Sequence, residues 1–325
     1  MRVLIAPLNW GLGHAARCVP LVNRFLAQGD EVVLGGDGES LILLQKHFPT
    51  LQAIRFADLS LSYSAGKSQV GAMLRSLPKI VRAAFTDHLL LEDLLEREPF
   101  DLVVSDNRFG LFSRKTRCVY ITHQLHICLP RRYRCLEPLA ARLHGWIGRH
   151  YAEVWVPDYK EPEGSLSGVL GHPEKHHYGE VRYIGSLSRF EEMKEPIKPS
   201  TIGYFDVVAV LSGLEPQRSM LEDEIVSRYS GKEERVLIVE GKPSKPMLQV
   251  SKGNITIVPY MDDSQLMMVL QQAQRIIARS GYSTIMDLAT LELLDRAELI
   301  ATPGQPEQEY LQEWIQKKRN YKTVK

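Results

Sequence analysis

The sequence predicts an α/β protein built from two tandem, doubly wound, Rossmann-like domains that face a cleft. Three observations carry the prediction. Short β-branched runs alternate with longer amphipathic stretches, the pattern of βαβ units around parallel sheets. The rhythm breaks over the polar stretch 157–178, with its prolines and glycines, and then resumes. The 325 residues, 44% of them hydrophobic, suffice for two cores at roughly 100–200 residues per domain.

In the first half, strands are predicted at 3–6, 31–34, 53–56, 101–105, 118–122 and 153–156, with helices at 14–28, 37–48, 70–97 and 134–149. The first helix carries Ala15, Val19, Val22 and Leu26 on one face. In the second half, strands are predicted at 181–184, 207–211, 235–239, 255–258, 275–278 and 298–301, with helices at 216–228, 263–272, 282–293 and 306–319. This divides the chain into domains of 1–180 and 181–325. Such sheets take ligands at the carboxyl ends of their strands, so two that face each other make a binding cleft.

The balance of 40 Lys and Arg against 39 Asp and Glu gives no electrostatic reason to expect a nucleic-acid partner. Cys18, Cys118, Cys128 and Cys135 show no Cys-x-x-Cys pairing, which suits a reducing, cytoplasmic compartment. The first residues read as a strand rather than a signal peptide, and no apolar run reaches the roughly 18 residues that span a bilayer.

The first predicted strand ends in Gly11-Leu12-Gly13-His14, directly before a helix. Glycines there let the backbone approach a ligand closely, and a helix N-terminus favours an anion. The spacing is not the dinucleotide Gly-x-Gly-x-x-Gly, because Ala16 holds the third place. A plain strand-to-helix turn with a capping histidine explains the motif equally well.

The second half is more specific. Ile276-Ile277-Ala278-Arg279-Ser280-Gly281-Tyr282-Ser283-Thr284-Ile285-Met286-Asp287 reads as a strand, a Ser-Gly turn and a helix opening, and Ala301-Thr302-Pro303-Gly304-Gln305-Pro306-Glu307-Gln308-Glu309-Tyr310 follows it. Together these resemble the donor-binding half of GT-B glycosyltransferases of family 28, the type that includes the lipid II-forming N-acetylglucosaminyltransferase and monogalactosyldiacylglycerol synthase. The Gly11–His14 turn resembles that family's first glycine loop. Leu211-Ser212-Gly213 is similar to a shortened form of its second, Gly185 to Arg189 to its junction segment, and Tyr260-Met261-Asp262-Asp263 to its base-holding segment. The resembled family adds a helix that crosses back onto the first domain; no counterpart is legible after 319.

The resemblance implies transfer of a hexose from a UDP-sugar to an acceptor hydroxyl with inversion, without a metal or other cofactor. It further implies a glycan or lipid-linked, cell-envelope acceptor. Donor contacts fall on Gly11, Gly13, Arg189, Ser212, Gly213, Tyr260, Met261, Ser280, Gly281, Ser283, Thr284, Asp287, Gln305, Glu307, Gln308 and Glu309. Asp287, about one and a half turns into its helix, is placed to accept both ribose hydroxyls, where the family carries Glu. The hydroxyls and N–H groups at 280–284 suit a diphosphate, as does a guanidinium at Arg189. Gln305, Glu307, Gln308 and Glu309 offer the mixed donors and acceptors that read sugar hydroxyls. His14 is the first candidate for the base, since imidazole titrates near neutrality, and Asp106, at a strand's carboxyl end, is the second.

His123-x-x-His126 lacks the cysteine or carboxylate that would complete a zinc site. Between 129 and 149, arginines alternate with Leu136, Leu139, Leu143, Trp146 and Ile147, and Arg75, Lys79 and Arg82 stand beside Met73, Leu74, Leu77 and Ile80. Such helices can lie on the inner face of an anionic membrane as a peripheral contact, and a solvated helix face over a core gives the same pattern. A nucleotide-sugar epimerase or hydrolase, or a non-catalytic sugar-nucleotide binding protein, on the same fold stays open.

Overall fold

A computed structural model describes residues 1–56, 70–193 and 203–323, with side chains described except at 70–75 and 321–323. Met73, Leu74 and Arg75 of the basic-apolar pattern therefore lie outside the described side chains.

The first sheet is parallel throughout and has the order β3-β2-β1-β4-β5-β6-β7. Its strands are β1 (Arg2–Pro7), β2 (Glu31–Gly36), β3 (Ala53–Arg55), β4 (Leu102–Asp106), β5 (Arg117–Ile121), β6 (Glu153–Val156) and β7 (Val181–Tyr183). Successive residues of β1 point to opposite faces. Val3 and Ile5 pack with Ala15, Val19 and Val22 of helix α1 (Leu12–Ala27) and with Leu41 and Leu44 of α2 (Gly38–His47). Leu4 and Ala6 pack on the other face with Leu91 and Leu94 of α3 (Val70–Arg97), and Ile147 of α4 (Glu137–Gly148) joins the same core. Burial on both faces is why these strands read as unbroken apolar runs. The chain changes direction across the sheet between β1 and β4, where Pro7 pairs with Asp106, so the crevice for a ligand opens beyond that pair.

The second sheet has the order β10-β11-β9-β8-β12-β13. Its strands are β8 (Val207–Val210), β9 (Val236–Val239), β10 (Val250–Lys252), β11 (Ile255–Val258), β12 (Arg275–Arg279) and β13 (Ala297–Ile300), and its helices are α5 (Gln217–Tyr229), α6 (Asp263–Gln272), α7 (Tyr282–Thr290) and α8 (Pro306–Thr323). All pairs are parallel except the edge pair β10–β11. The exposed β10 was not expected, because Val250-Ser251-Lys252 lacks the apolar alternation of a half-buried strand.

Two expectations are corrected. The division at 180/181 cuts the first sheet, because β7 pairs in parallel with β6 and closes the edge of the first domain. The two sheets part between β7 and β8. A helix does cross back onto the first domain, and it is α8. The Tyr310 hydroxyl accepts a hydrogen bond from the backbone N–H of Val169 at 2.8 Å, and Lys318 Nζ donates to the Ser165 carbonyl at 2.6 Å. Gly168, at φ 55°, allows this: a Cβ there would meet the Tyr310 hydroxyl at 2.3 Å.

Candidate active-site cleft

The carboxyl ends of both sheets open into one cleft, where glycines bring three backbones together. Gly11 (φ 92°) ends the turn after β1 and faces Gly213 (φ 95°) after β8; a Cβ on Gly11 would stand 3.5 Å from the Gly213 Cα. Gly13 abuts α7, and the Ser283 hydroxyl donates to its carbonyl at 2.9 Å. Gly241, after β9, joins them at φ 69°, with a Cβ position 2.6 Å from the Leu211 carbonyl oxygen.

The two helices that start here share one feature. Neither α1 nor α7 has a side-chain N-cap hydrogen bond, and neither carries an acidic residue in its first turn. The first N–H groups of a helix lack intrahelical partners, and the helix dipole adds partial positive charge there. Gly11 to His14 and Gly281 to Thr284 line the cleft, so it is walled by two uncapped N-termini. Backbone N–H groups in that arrangement suit an anion.

His14 sits on α1 with its side chain 15% exposed to the cleft. Its Nδ1 lies 2.9 Å from Asp106 Oδ1. Asp106, the second candidate for the base, is fully buried behind it and does not line the cleft, so it cannot meet an acceptor itself. Arg17, one turn after His14, holds both Asp106 oxygens, with Nε donating to Oδ2 at 2.6 Å. Burial opposes ionisation of Asp106, yet the Arg17 and His14 charges and hydrogen bonds keep its carboxyl well below the usual range.

The network continues into the second domain. Arg17 Nη1 lies 3.2 Å from His123 Nδ1, and His123 Nε2 lies 2.8 Å from Glu307 Oε1. Burial pushes the His123 imidazole below its ordinary value. Burial pushes the other way on Glu307, but His123 holds that carboxyl below the usual range. A neutral His123 therefore accepts from Arg17 on Nδ1 and donates Nε2–H to an ionised Glu307. Its ring stacks on Tyr282 at 4.3 Å and 8°. Sequence reasoning missed Arg17 and gave His123 no partner. An arginine inside the otherwise apolar run 15–22 of α1, at i+3 from His14, was the available signal.

On the donor side the cleft brings together Gly11, Gly13, Arg189, Ser212, Gly213, Tyr260, Met261, Gly281, Ser283, Thr284, Asp287, Gln305, Glu307 and Gln308. It leaves out Ser280 and Glu309. Ser280 is fully buried and donates to the Gln308 carbonyl at 2.8 Å. Glu309 accepts from the Gly304 N–H at 3.1 Å, so it staples the loop before α8 rather than facing a sugar. Gln308 lines the cleft, but its Oε1 accepts from the Thr302 N–H at 2.8 Å. Arg189 and Asp287 are partners of each other at 3.1 Å; Ser188 donates to the other Asp287 oxygen at 2.8 Å and Arg189 also reaches Asp263 at 3.1 Å. Burial raises the Asp287 carboxyl against the pull of Arg189.

No family profile matches the chain. It is 29% identical over 174 residues to an uncharacterized glycosyltransferase of Methanosarcina acetivorans, a match covering 50% of this chain and 43% of that one. A second uncharacterized glycosyltransferase of the same organism is 24% identical over 301 residues, covering 88% of this chain and 76% of its own length. The chain thus spans under half of the first relative and about three quarters of the second. Among solved structures, the calicheamicin glycosyltransferase CalG4 superposes with a TM-score of 0.53 at 12% identity, covering 99% of this chain and 97% of that one. The glycosyltransferase SnogD from Streptomyces nogalater gives 0.52 at 15%, covering 98% and 95%. The spinosyn rhamnosyltransferase SpnG complexed with thymidine diphosphate gives 0.51 at 13%, covering 98% and 92%. Two sheets of parallel strands, walled helix to helix around one cleft and matched over nearly their whole length, give this chain the GT-B glycosyltransferase fold.

Proposed function

We propose that the protein is a glycosyltransferase that moves a hexose from a UDP-sugar to an acceptor hydroxyl by direct, inverting displacement. One observation carries the reading: His14, oriented by a buried carboxylate, shares a cleft with two uncapped helix N-termini. Asp106 Oδ1 at 2.9 Å and Arg17 Nη2 at 3.0 Å both face Nδ1, and the tautomer with its proton on Nδ1 toward Asp106 leaves Nε2 as the basic nitrogen. The acceptor oxygen then gives its proton to Nε2 and bonds the anomeric carbon, and the carbon–oxygen bond to the diphosphate breaks. The N-termini of α1 and α7 take up the negative charge of the leaving nucleoside diphosphate, so the transfer needs no metal at that point. Asp106 acts as a positioning residue, and Asp287 exchanges its Ser188 and Arg189 contacts for the ribose hydroxyls.

The names of the similar proteins, glycosyltransferases throughout, support the reaction class. The finer assignment to a family 28-like enzyme rests on the motifs at 11–14 and 279–309.

The acceptor side favours a lipid-linked or cell-envelope glycan and peripheral contact with an anionic membrane. No described helix is long and apolar enough to cross one. Helices α3 and α4 share a face of the first sheet. On that side Val81, Phe85, Leu139, Leu143 and Trp146 are each about three-fifths exposed, with Lys79, Arg82, Arg142 and Arg149 exposed beside them. Ile80 is buried and drops out of this surface.

The test is His14→Ala with UDP titration and turnover in parallel. Loss of a general base lowers kcat by about 10²–10⁴, with UDP affinity unchanged. Equal loss of UDP binding would remove the base assignment. Turnover of donor without an acceptor would favour a hydrolase or epimerase.

A further inference from the structure

The loop from β5 to α4 gathers three side chains of different chemistry outside the cleft lining. A ring nitrogen of His126, Cys128 Sγ and a Glu137 carboxylate oxygen all lie within 4.8 Å of one another. His126 Nε2 stands 3.4 Å from Glu137 Oε2. The sequence hides this grouping, because Glu137 enters from the first turn of α4, nine residues beyond Cys128, and because His123 leaves to join Arg17 and Glu307.

We propose that His126, Cys128 and Glu137 bind one divalent transition-metal cation of the zinc type. The imidazole, thiolate and carboxylate donors are a borderline-soft set, suited to zinc rather than to magnesium or calcium, which take oxygen ligands. Edges of a tetrahedral site built on bonds of about 2.0–2.3 Å run to roughly 3.3–3.8 Å, so the His126–Glu137 separation already fits. Three protein ligands leave a fourth position for water.

The surroundings hold the ligands in place. The other Glu137 oxygen, Oε1, accepts the Leu129 N–H at 2.9 Å, which fixes the carboxylate and leaves Oε2 for the metal. The His126 N–H donates to the Leu170 carbonyl at 2.9 Å and pins the loop backbone. Cys128 packs against the main apolar core. Without a cation its thiol is pushed up to about 11 by burial and by Glu137 and Glu307, with Arg134 opposing. Metal binding forms the Sγ–metal bond and releases the thiol proton to water. The cation would clip the loop that carries His123 onto the N-terminus of α4. This inference does not rest on the transfer reaction.

The experiment uses the full, reduced, chelator-treated chain and titrates cobalt(II), followed by zinc(II) competition. One equivalent of cobalt should bind with a near-ultraviolet thiolate-to-cobalt charge-transfer band and visible bands of a tetrahedral ion, and zinc should displace both. Apparent affinity should rise about tenfold per pH unit near neutrality, since one thiol proton leaves. Cys128→Ser should abolish the charge-transfer band while Cys135→Ser keeps it. Glu137→Gln, the milder variant if the serine protein folds poorly, should weaken binding at least tenfold. Absence of the band, or its survival in Cys128→Ser with loss in Cys135→Ser, overturns the site. Because the readout is metal binding, it stands or falls separately from loss of sugar transfer.

Discussion

Both walls of the cleft use one local device, a strand that ends in a glycine turn before a helix, and load it differently. On the first-domain wall, β1 and α1 place His14 and Arg17 over Asp106; the Arg17 side chain is 1% exposed and that of Asp106 is 0%. On the second-domain wall, α7 presents its backbone N–H groups, and the nearby charges pair with one another at the rim, with Arg189 13% exposed and Asp263 and Asp287 10%. On the proposed reading, the first wall fixes a proton acceptor over a fully buried Arg17–Asp106 pair. On the same reading the second wall takes the charged donor, and its buried ion pairs stand in the cleft lining, where a ligand can meet Arg189 and Asp287 directly.

The largest effect should come from breaking the sealed pair. Arg17→Met leaves Asp106 buried with only His14 and the Cys18 thiol, and removing one partner of a buried pair costs about 3–5 kcal/mol. Arg189→Met leaves Asp287 its Ser188 hydrogen bond, so about 1–3 kcal/mol is expected. Denaturant midpoints for the two variants and the wild type measure both. Equal losses would erase the distinction between the walls.

A smaller effect sharpens the same contrast on the ligand side. Asp287→Asn keeps a group that can meet Ser188 but removes the charge facing Arg189. UDP affinity should fall about tenfold, or about 1.4 kcal/mol, with a stability change well below that of Arg17→Met. Calorimetry decides it, and unchanged affinity would assign Asp287 to Arg189 alone.

The positions of the walls were legible in the sequence because strand-turn-helix signals are local. Strand β1, its glycine turn and α1 follow from the apolar run, the two glycines and the 3.6 periodicity. Which polar atoms remain free was not legible. Arg189 and Asp287 are 98 residues apart in sequence and meet only because the segment after β7 folds against α6 and α7. Glu309 and Gln308 looked like sugar readers because their residue types fit, yet backbone N–H groups of their own loop claim their oxygens first. The boundary at 180/181 failed because β7 is a three-residue edge strand, and nothing in Val181-Arg182-Tyr183 says which sheet it joins. The return of α8 to the first domain hangs on Gly168, whose significance depends on aromatic rings that arrive 142 and 146 residues later.

The walls should also part in weak acid. All ten histidines precede the second sheet. His144 of α4 is held between the hydroxyls of Tyr120, at 2.9 Å, and Tyr178, and burial pushes its imidazole down to about 4. An unfolded histidine protonates near pH ~6.5. As pH falls from there toward 4, the unfolded chain takes up a proton that the folded one refuses, so stability falls, by at most about 1.4 kcal/mol per pH unit for one such group. Asp106 and Glu307 have the opposite bias: their folded values lie below the unfolded ones, so their contribution is intact above pH ~5 and is lost only in stronger acid. The two windows meet only below about pH 5, so the loss between pH ~6.5 and ~5 belongs to buried neutral histidine. His144→Gln, which offers both tyrosines an amide, should unfold with a shallower pH slope than the wild type over that window. Parallel slopes would mean that His144 charges freely in the folded chain, and the acid sensitivity would then fall to His123 and its contact with Glu307 across the cleft.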